Sequence, residues 1–446
     1  MVEAVAQRWT QKMDQDCKST NSQSLTLEDI LTRENLNEAL KQVVANKGAP
    51  GVDGISTVDI KGLLRANEGA LAQALKQSVL KGKYRPKAVK RVWIPKENGS
   101  QRPLGIPTVI DRLIQQAVAQ KLQEIYEPKF SDGSYGYRPN RSAQDAIERI
   151  LSYANEGYDW VIDMDLEKFF DTVNHELLIY IMERDIKDRR ILTLILRMMK
   201  APIEENGKQT PCTLGVPQGG CISPLLANIL LNELDQLLES RGLRFVRYAD
   251  DMMIMCRSER SAKRVLESTT RFIEKRLKLK VNREKTKISK LVSSDDLKFL
   301  GFGFWKRDGK YKSRPHKKSL KKLKTKIKEI LGRSRGVSLE MYQTELTTTL
   351  RGWYTYFKVG LSKSAIRSLD ERTRRRIRML YWKRWKKIKT KYGALMKLGV
   401  NRWKAWEWAN SSKKYWAIAN SWILTTTLTN ERLRKHGWLC LKDLQS

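Results

Sequence analysis

Phe245-Val246-Arg247-Tyr248-Ala249-Asp250-Asp251-Met252-Met253-Ile254-Met255 sets two adjacent carboxylates between short apolar runs. Such runs on either side of a compact polar step read as a β-hairpin, with Asp250 and Asp251 on its tight turn. Packing gives no reason to put acidic side chains at the apex of apolar strands, because burying an unpaired carboxylate is unfavourable. Adjacent carboxylates there do suit divalent cations, which take oxygen ligands and assist in-line phosphoryl displacement. That chemistry needs a third carboxylate, cations for a triphosphate and a track for a polyanion elsewhere in the chain.

Val161-Ile162-Asp163-Met164-Asp165-Leu166-Glu167-Lys168-Phe169-Phe170-Asp171 places an apolar strand before Asp165 and a helix start after it. A carboxylate at a strand end can approach the turn of a neighbouring strand, so Asp165 and Asp250 can bridge two Mg²⁺ ions about 4 Å apart. Asp165 alone reads better as a helix cap; beside Asp250-Asp251 the metal reading is preferred. Asp163 and Asp171 read as structural. Lys96 and Arg102 stand three residues either side of Gly99 in the turn pair Asn98-Gly99, so a hairpin there brings them together. A guanidinium fork and an ammonium point charge suit triphosphate oxygens. Arg112 is a weaker candidate of the same kind. Gln218 lies between Pro217 and two glycines, in a loop whose backbone can approach a ligand closely.

The chain has 446 residues with 86 Lys+Arg against 49 Asp+Glu, a net charge of +37. An excess of that size fits a polyanionic partner. It is unevenly placed: residues 301–446 hold 38 basic and 9 acidic residues, leaving the first 300 with only +8. Ten of the 13 tryptophans also lie there, as in Tyr381-Trp382-Lys383-Arg384-Trp385-Lys386-Lys387. Core packing explains most of them. The arginine and lysine face, with Arg372, Arg374, Arg375, Arg376, Arg378, Lys383 and Arg384, is expected to contact nucleic acid. Five scattered cysteines form no CxxC pair, which argues against a disulfide framework and a zinc ribbon. No apolar run approaches the roughly 20 residues of a membrane span, and no leader pattern opens the chain; a soluble cytoplasmic protein is expected.

Helical spacing over Glu34–Asn46, Asp111–Ile125, His175–Arg184 and Pro224–Leu238, with strands over Val89–Pro107 and Trp160–Met164, makes the first part α+β. Beyond Gly303 the pattern reads as all helical. Leu320, Leu323 and Ile327, then Leu339, Tyr342 and Leu346, then Ile366, Leu369 and Ile377 mark three helices.

Tyr248-Ala249-Asp250-Asp251 with Asp165-Leu166-Glu167-Lys168-Phe169-Phe170-Asp171 resembles the reverse transcriptases, and in particular group II intron-encoded reverse transcriptase/maturases. Arg102-Pro103-Leu104-Gly105-Ile106-Pro107, Gly136-Tyr137-Arg138-Pro139, Gly215-Val216-Pro217-Gln218-Gly219-Gly220, Phe299-Leu300-Gly301-Phe302 and Arg351-Gly352-Trp353-Tyr354 follow in the family's order. The resemblance implies a right-hand polymerase: an N-terminal extension (1–29), fingers and palm (30–305) and an all-α thumb or maturase domain (306–400). A basic, Trp-rich segment (401–446) would follow as a remnant DNA-binding region. Many relatives end in a Cys/His-bearing endonuclease module; with only His436 and Cys440 of that type near the end, the form lacking it is expected.

By the same resemblance Asp165, Asp250 and Asp251 are the catalytic, metal-binding triad for two Mg²⁺ ions, with Mn²⁺ as a substitute. Lys96 and Arg102 hold the dNTP, Phe170 excludes a ribose 2′-hydroxyl, and Gln218 lies against the nascent base pair. Lys285 is a candidate general acid. Ala249, where many viral RNA replicases of similar fold carry glycine, points toward DNA synthesis. The implied partners are group II intron RNA, an RNA template/DNA primer duplex, target DNA and dNTPs; the oligomeric state is left open. Two other readings stand: an RNA-binding splicing cofactor with a vestigial polymerase fold, and a reverse transcriptase of a retron or diversity-generating element.

Overall fold

Val89–Pro95 (β1) and Gln101–Ile106 (β2) form an antiparallel hairpin in register Ile94↔Arg102 and Pro95↔Gln101. The computed structural model describes residues 25–65, 70–95, 99, 101–292 and 297–445, so Lys96 and Asn98 lie outside the described residues. Trp160–Met164 (β3) belongs to a second sheet. Ile203–Glu205 (β4) joins β1 in parallel and pairs with Lys208–Thr210 (β5), giving a fingers sheet of order β2-β1-β4-β5. The second, palm sheet runs β6-β7-β3-β8, from Arg244–Tyr248 (β6), Asp251–Cys256 (β7), β3 and Lys287–Lys290 (β8). Antiparallel pairing of Met164 with Met252 brings the end of β3 to the start of β7.

The palm strands read as near-continuous apolar runs because both faces of the sheet are covered. Ile162, Met164, Met252 and Ile254 enter one core, together with Ile114 and Leu122 of Val109–Tyr126 (α1), Leu178 of His175–Glu183 (α2) and Leu230 and Leu234 of Ser223–Ser240 (α3). The alternate residues Val161, Val246, Met253 and Met255 enter a second core with Phe302, Phe304 and Phe357. The strand period of two therefore divides one run between two cores.

Phe302–Arg307 (β9) and Lys310–Pro315 (β10) overturn the all-helical expectation beyond Gly303. Asp308 and Gly309 both take positive φ, 53° and 76°, the backbone of a tight hairpin turn. An Asp-Gly pair is a strong hairpin signal, and here alternation on its first flank (Phe302, Phe304) accompanies it. The three expected helices follow as Lys317–Ile330 (α4), Leu339–Phe357 (α5) and Lys363–Arg384 (α6). Ile388–Lys397 (α7), Arg402–Ala409 (α8) and shorter helices continue to residue 435. Leu323, Leu346, Leu380, Leu395, Trp408, Leu424, Trp438 and Leu441 share one core, so residues past 400 pack into the same body as α4–α6. Among the described residues no helix is long and apolar enough to cross a membrane.

Trp438 is buried against α6, and its indole N–H donates to the Tyr381 hydroxyl at 3.1 Å. Trp438→Ala is expected to remove about 3–5 kcal/mol from the unfolding free energy of the helical domain, measured by chemical denaturation. A loss under about 1 kcal/mol would mean that residues 401–446 fold apart from α4–α6.

Candidate active site

A cavity of about 1370 Å³ opens between the fingers and palm sheets, and Arg102, Asp165, Phe170, Gln218, Asp250, Asp251 and Lys285 all line it. The strand order accounts for the acidic wall. Asp165 follows β3 directly, and the two-residue turn between β6 and β7 carries Asp250 beside it. The Asp165 N–H donates to Thr286 Oγ1 at 3.3 Å, and its carbonyl accepts from Asn282 N–H at 2.9 Å. The same segment, residues 282–286, sets Lys285 Nζ 3.2 Å from Asp165 Oδ2.

The turn itself is strained and gripped from below. Ala249 adopts φ 60°, a left-handed conformation in which a Cβ is unfavourable. Gly136 lies directly underneath: a Cβ there would sit 2.3 Å from Ala249 N. Arg247, fully buried, donates from Nη1 to Ala249 O at 3.0 Å and to Asn228 Oδ1 at 2.9 Å. Its Nε donates to both oxygens of buried Asp235, at 2.9 and 3.0 Å, and Nη2 donates to Ser134 Oγ at 2.8 Å. Asn228 Nδ2 then donates to Gly136 O at 2.9 Å. One guanidinium thus ties α3 and the segment 134–136 to the acidic turn. Every arm of its fork is used, the condition under which a buried ion pair holds geometry rather than merely carrying a desolvation cost.

The opposite wall depends on backbone approach. Gly215, at φ 90°, lies where a Cβ would be 2.8 Å from Phe170 O. Val216 N–H donates to that same Phe170 oxygen at 2.7 Å, and His175 Nε2 lies 2.6 Å from Gly215 O. Gly105 N–H of β2 donates to Gln218 O at 2.7 Å. The loop 215–220 is therefore pinned between the fingers hairpin and the short helix Phe169–Thr172. Phe170 meets Phe169 edge to face, with ring centroids 5.2 Å apart.

Removal from water raises the Asp250 carboxyl above its ordinary range, against the lowering effect of its own backbone N–H and of Arg102. Asp251 opens on the cleft, yet the protein packed around it withdraws much of its hydration. That and the like charges of Asp250, Asp163 and Asp165 push it up to about 6. Burial, then Asp165, pushes Asp163 up to about 6 as well. A set of oxygen donors that raise one another in this way fits a hard divalent cation, which would relieve the repulsion. Among the described residues no three acidic, His or Cys side chains are already drawn around a common point. Lys285 supplies a neighbouring positive charge at Asp165.

Residues 94–304 match the family model for reverse transcriptase (RNA-dependent DNA polymerase), and residues 320–403 match that for the group II intron maturase-specific domain. The chain is 36% identical over 322 residues to Protein YkfC of Escherichia coli strain K12, covering 63% of this chain and 83% of that one. It is 32% identical over 348 residues to the group II intron-encoded protein LtrA of Lactococcus lactis subsp. cremoris, covering 62% of this chain and 57% of that one. The chain belongs to the group II intron-encoded reverse transcriptase/maturases. A solved structure titled "Partial Cas6-RT-Cas1--Cas2 complex" is similar at 27% identity and a TM-score of 0.36, covering 57% of this chain and 43% of that chain.

The reverse transcriptase/maturase holds several site residues that the sequence reading passed over. Arg247 and Asp235 are charges set in apolar strand and helix runs, which is the signal of a buried pair. Tyr137 is half exposed at φ 60°; burial, then the charge of Asp250, raises its phenol. Trp93 and Arg91 line the cavity from β1, and the Trp93 indole donates to Glu205 at 2.7 Å. Arg112 instead serves the fold, donating from Nη2 to Ala49 O at 2.7 Å.

The arginine face expected on α6 is largely occupied by the protein itself. Arg378 is buried, donating to Leu428 O at 2.9 Å and Asn430 Oδ1 at 3.0 Å, and is withdrawn from the nucleic-acid contacts. Arg374 lies 3.8 Å from buried Asp370, whose carboxylate accepts from Leu441 and Lys442 N–H. Arg375 donates twice to Trp416 O, at 3.1 and 2.8 Å, and stacks on its ring; Arg376 lies over the same ring. Lys383 lies over Tyr415, and Arg384 donates to Val337 O at 2.9 Å while remaining exposed. Arg372 is exposed. The helix contains its arginines because segments distant in sequence need anchoring, a demand that a charge run does not reveal.

Arg247→Met would leave Asp235 as a buried, unpaired charge, and a loss of about 3–5 kcal/mol in denaturant unfolding is expected. Arg247→Met with Asp235→Leu should recover most of that stability while primer extension stays depressed, because the hold on Ala249 O is not restored. Recovery of both would reduce the pair to a folding role.

Proposed function

We propose that this reverse transcriptase/maturase is an RNA-directed DNA polymerase that adds dNTPs to a primer 3′-hydroxyl and also binds its group II intron RNA to assist splicing and mobility. The observation that carries the reading is the single cavity in which Asp165, Asp250 and Asp251 face Arg102 of the fingers hairpin. In this reading the three carboxylates hold two Mg²⁺ ions, whose charge would neutralise the triphosphate and lower the pKa of the primer hydroxyl. Arg102 takes up triphosphate oxygens with its fork. Lys285, with Nζ 3.2 Å from Asp165 Oδ2, would serve as general acid to the departing pyrophosphate. Phe170 closes the side of the pocket where a 2′-hydroxyl would lie, and Gln218 supports the nascent pair. The maturase-specific match over 320–403 favours the intron-encoded type over a retron or diversity-generating element. Lys96 completes the proposed triphosphate clamp from the sequence side alone.

Asp250→Ala is expected to take Mg²⁺-dependent primer extension on an RNA template below detection while intron RNA affinity stays near wild type. Surviving extension would sink the assignment of the triad; simultaneous loss of RNA binding would show that synthesis and RNA grip are one site. Phe170→Ala should raise ribonucleotide incorporation relative to dNTPs roughly 10- to 200-fold, read from single-nucleotide extension. Unchanged selectivity would return Phe170 to the core beside Phe169.

A further inference from the structure

Since α6 spends most of its arginines on internal anchors, a second nucleic-acid contact has to be sought on surfaces that the fold leaves uncovered. The helix pair α7–α8 presents one. On α8, Ala405, Trp408 and Ala409 are buried, and this i, i+3, i+4 set accounts for its packing. Trp403 and Trp406 lie one turn apart on the other side and are 83% and 58% exposed. Ile388, Tyr392 and Met396 are spaced along one face of α7 at i, i+4 and i+8. Tyr392 meets Trp406 edge to face at 6.1 Å, which joins the two helices into one surface, and Ile388 and Met396 are exposed.

Indoles left more than half in water are unfavourable unless a partner covers them. The surrounding charge says what kind. Residues 386–414 contain nine Lys or Arg and one acidic residue, Glu407. Lys389, Lys397, Arg402 and Lys404 are exposed around the aromatic rings. A polyanion with flat apolar groups of its own satisfies both features. Duplex hides its base faces, whereas an unpaired strand offers them for stacking. Trp403 also closes the stretch matching the maturase-specific domain, 320–403, which points to RNA.

We propose that the α7–α8 face binds an unpaired RNA strand, with bases stacked on Trp403 and Trp406 and phosphates on Lys389, Arg402 and Lys404. The proposal rests on the reading of the chain as a nucleic-acid enzyme and adds a second site outside the polymerase cleft. It assigns the two indoles to recognition, separate from the tryptophans that build the core.

The test fills the cleft of the full-length protein with unlabelled primer–template duplex and titrates a labelled oligouridine of about 16 nucleotides. Trp403→Ala with Trp406→Ala should weaken oligouridine binding roughly 10- to 100-fold, with primer extension and thermal unfolding unchanged. Trp403→Phe with Trp406→Phe, which keeps two aromatic faces, should recover much of the affinity. Replacing Lys389, Arg402 and Lys404 by Gln should flatten the salt dependence by about 2 in log–log slope. Unchanged oligouridine affinity in the alanine double variant overturns the proposal. So does a loss seen only with blunt duplex, only with an oligothymidine of equal length, only in binding to anionic vesicles, or only in self-association of the protein. Failure of the wild type to bind primer–template or extend it would instead remove the polymerase reading.

Discussion

One buried guanidinium organises the acidic turn between β6 and β7 and the elements packed beneath it. Arg247 closes a fully satisfied set of hydrogen bonds with Asp235, Asn228, Ser134 and Ala249 O. Isolated charge in that position would be severely destabilising; a completed fork makes it a fixed joint. The joint stabilises an alanine at φ 60° and so orients two carboxylates that the solvent-poor wall and their mutual repulsion would otherwise disfavour. Electrostatic strain at the turn is therefore balanced by electrostatic closure beneath it. Gly136 is part of the same device, since a side chain there would collide with the turn.

The thumb side uses charge differently. Its arginines reach across from α6 to the carbonyls of Trp416 and Leu428 and to the Asn430 side chain, while Asp370 of the same helix accepts from Leu441 and Lys442 N–H, so a strongly basic helix becomes the spine around which the last segment folds. Exposed cations also lie further on, where Lys389, Arg402 and Lys404 surround uncovered indoles. Net charge pointed to a polyanionic partner, but could not say which cations are spent inside.

Asp165, Asp250 and Asp251 were legible because acidic residues interrupt apolar strands, which packing alone does not explain. The two-residue period in Met252-Met253-Ile254-Met255 was legible as a strand, and the structure divides it between two cores. Phe302–Pro315 was not read as a hairpin, although Asp308-Gly309 carries the signal; the following lysine-rich helical periodicity dominated the reading. Arg247 went unread because its neighbours were counted only as an apolar run. The role of Arg378 was illegible for a different reason: Leu428 and Asn430, which it anchors, are distant in sequence.

Local chemistry along the chain determined which side chains stand out as candidates: residue type and spacing are enough to mark carboxylates on a turn, a fork beside a glycine turn and a surplus of positive charge. Only the tertiary structure decided which of these groups meet. Strand order β6-β7-β3-β8 brings Asp165 to Asp250, and the pinned loop brings Gln218 to the fingers. The burial of partners far apart in sequence turned Arg247 and Arg378 into joints. Propensity and pattern act within a few residues, whereas the pairing and desolvation of charge depend on distances that only the folded chain sets.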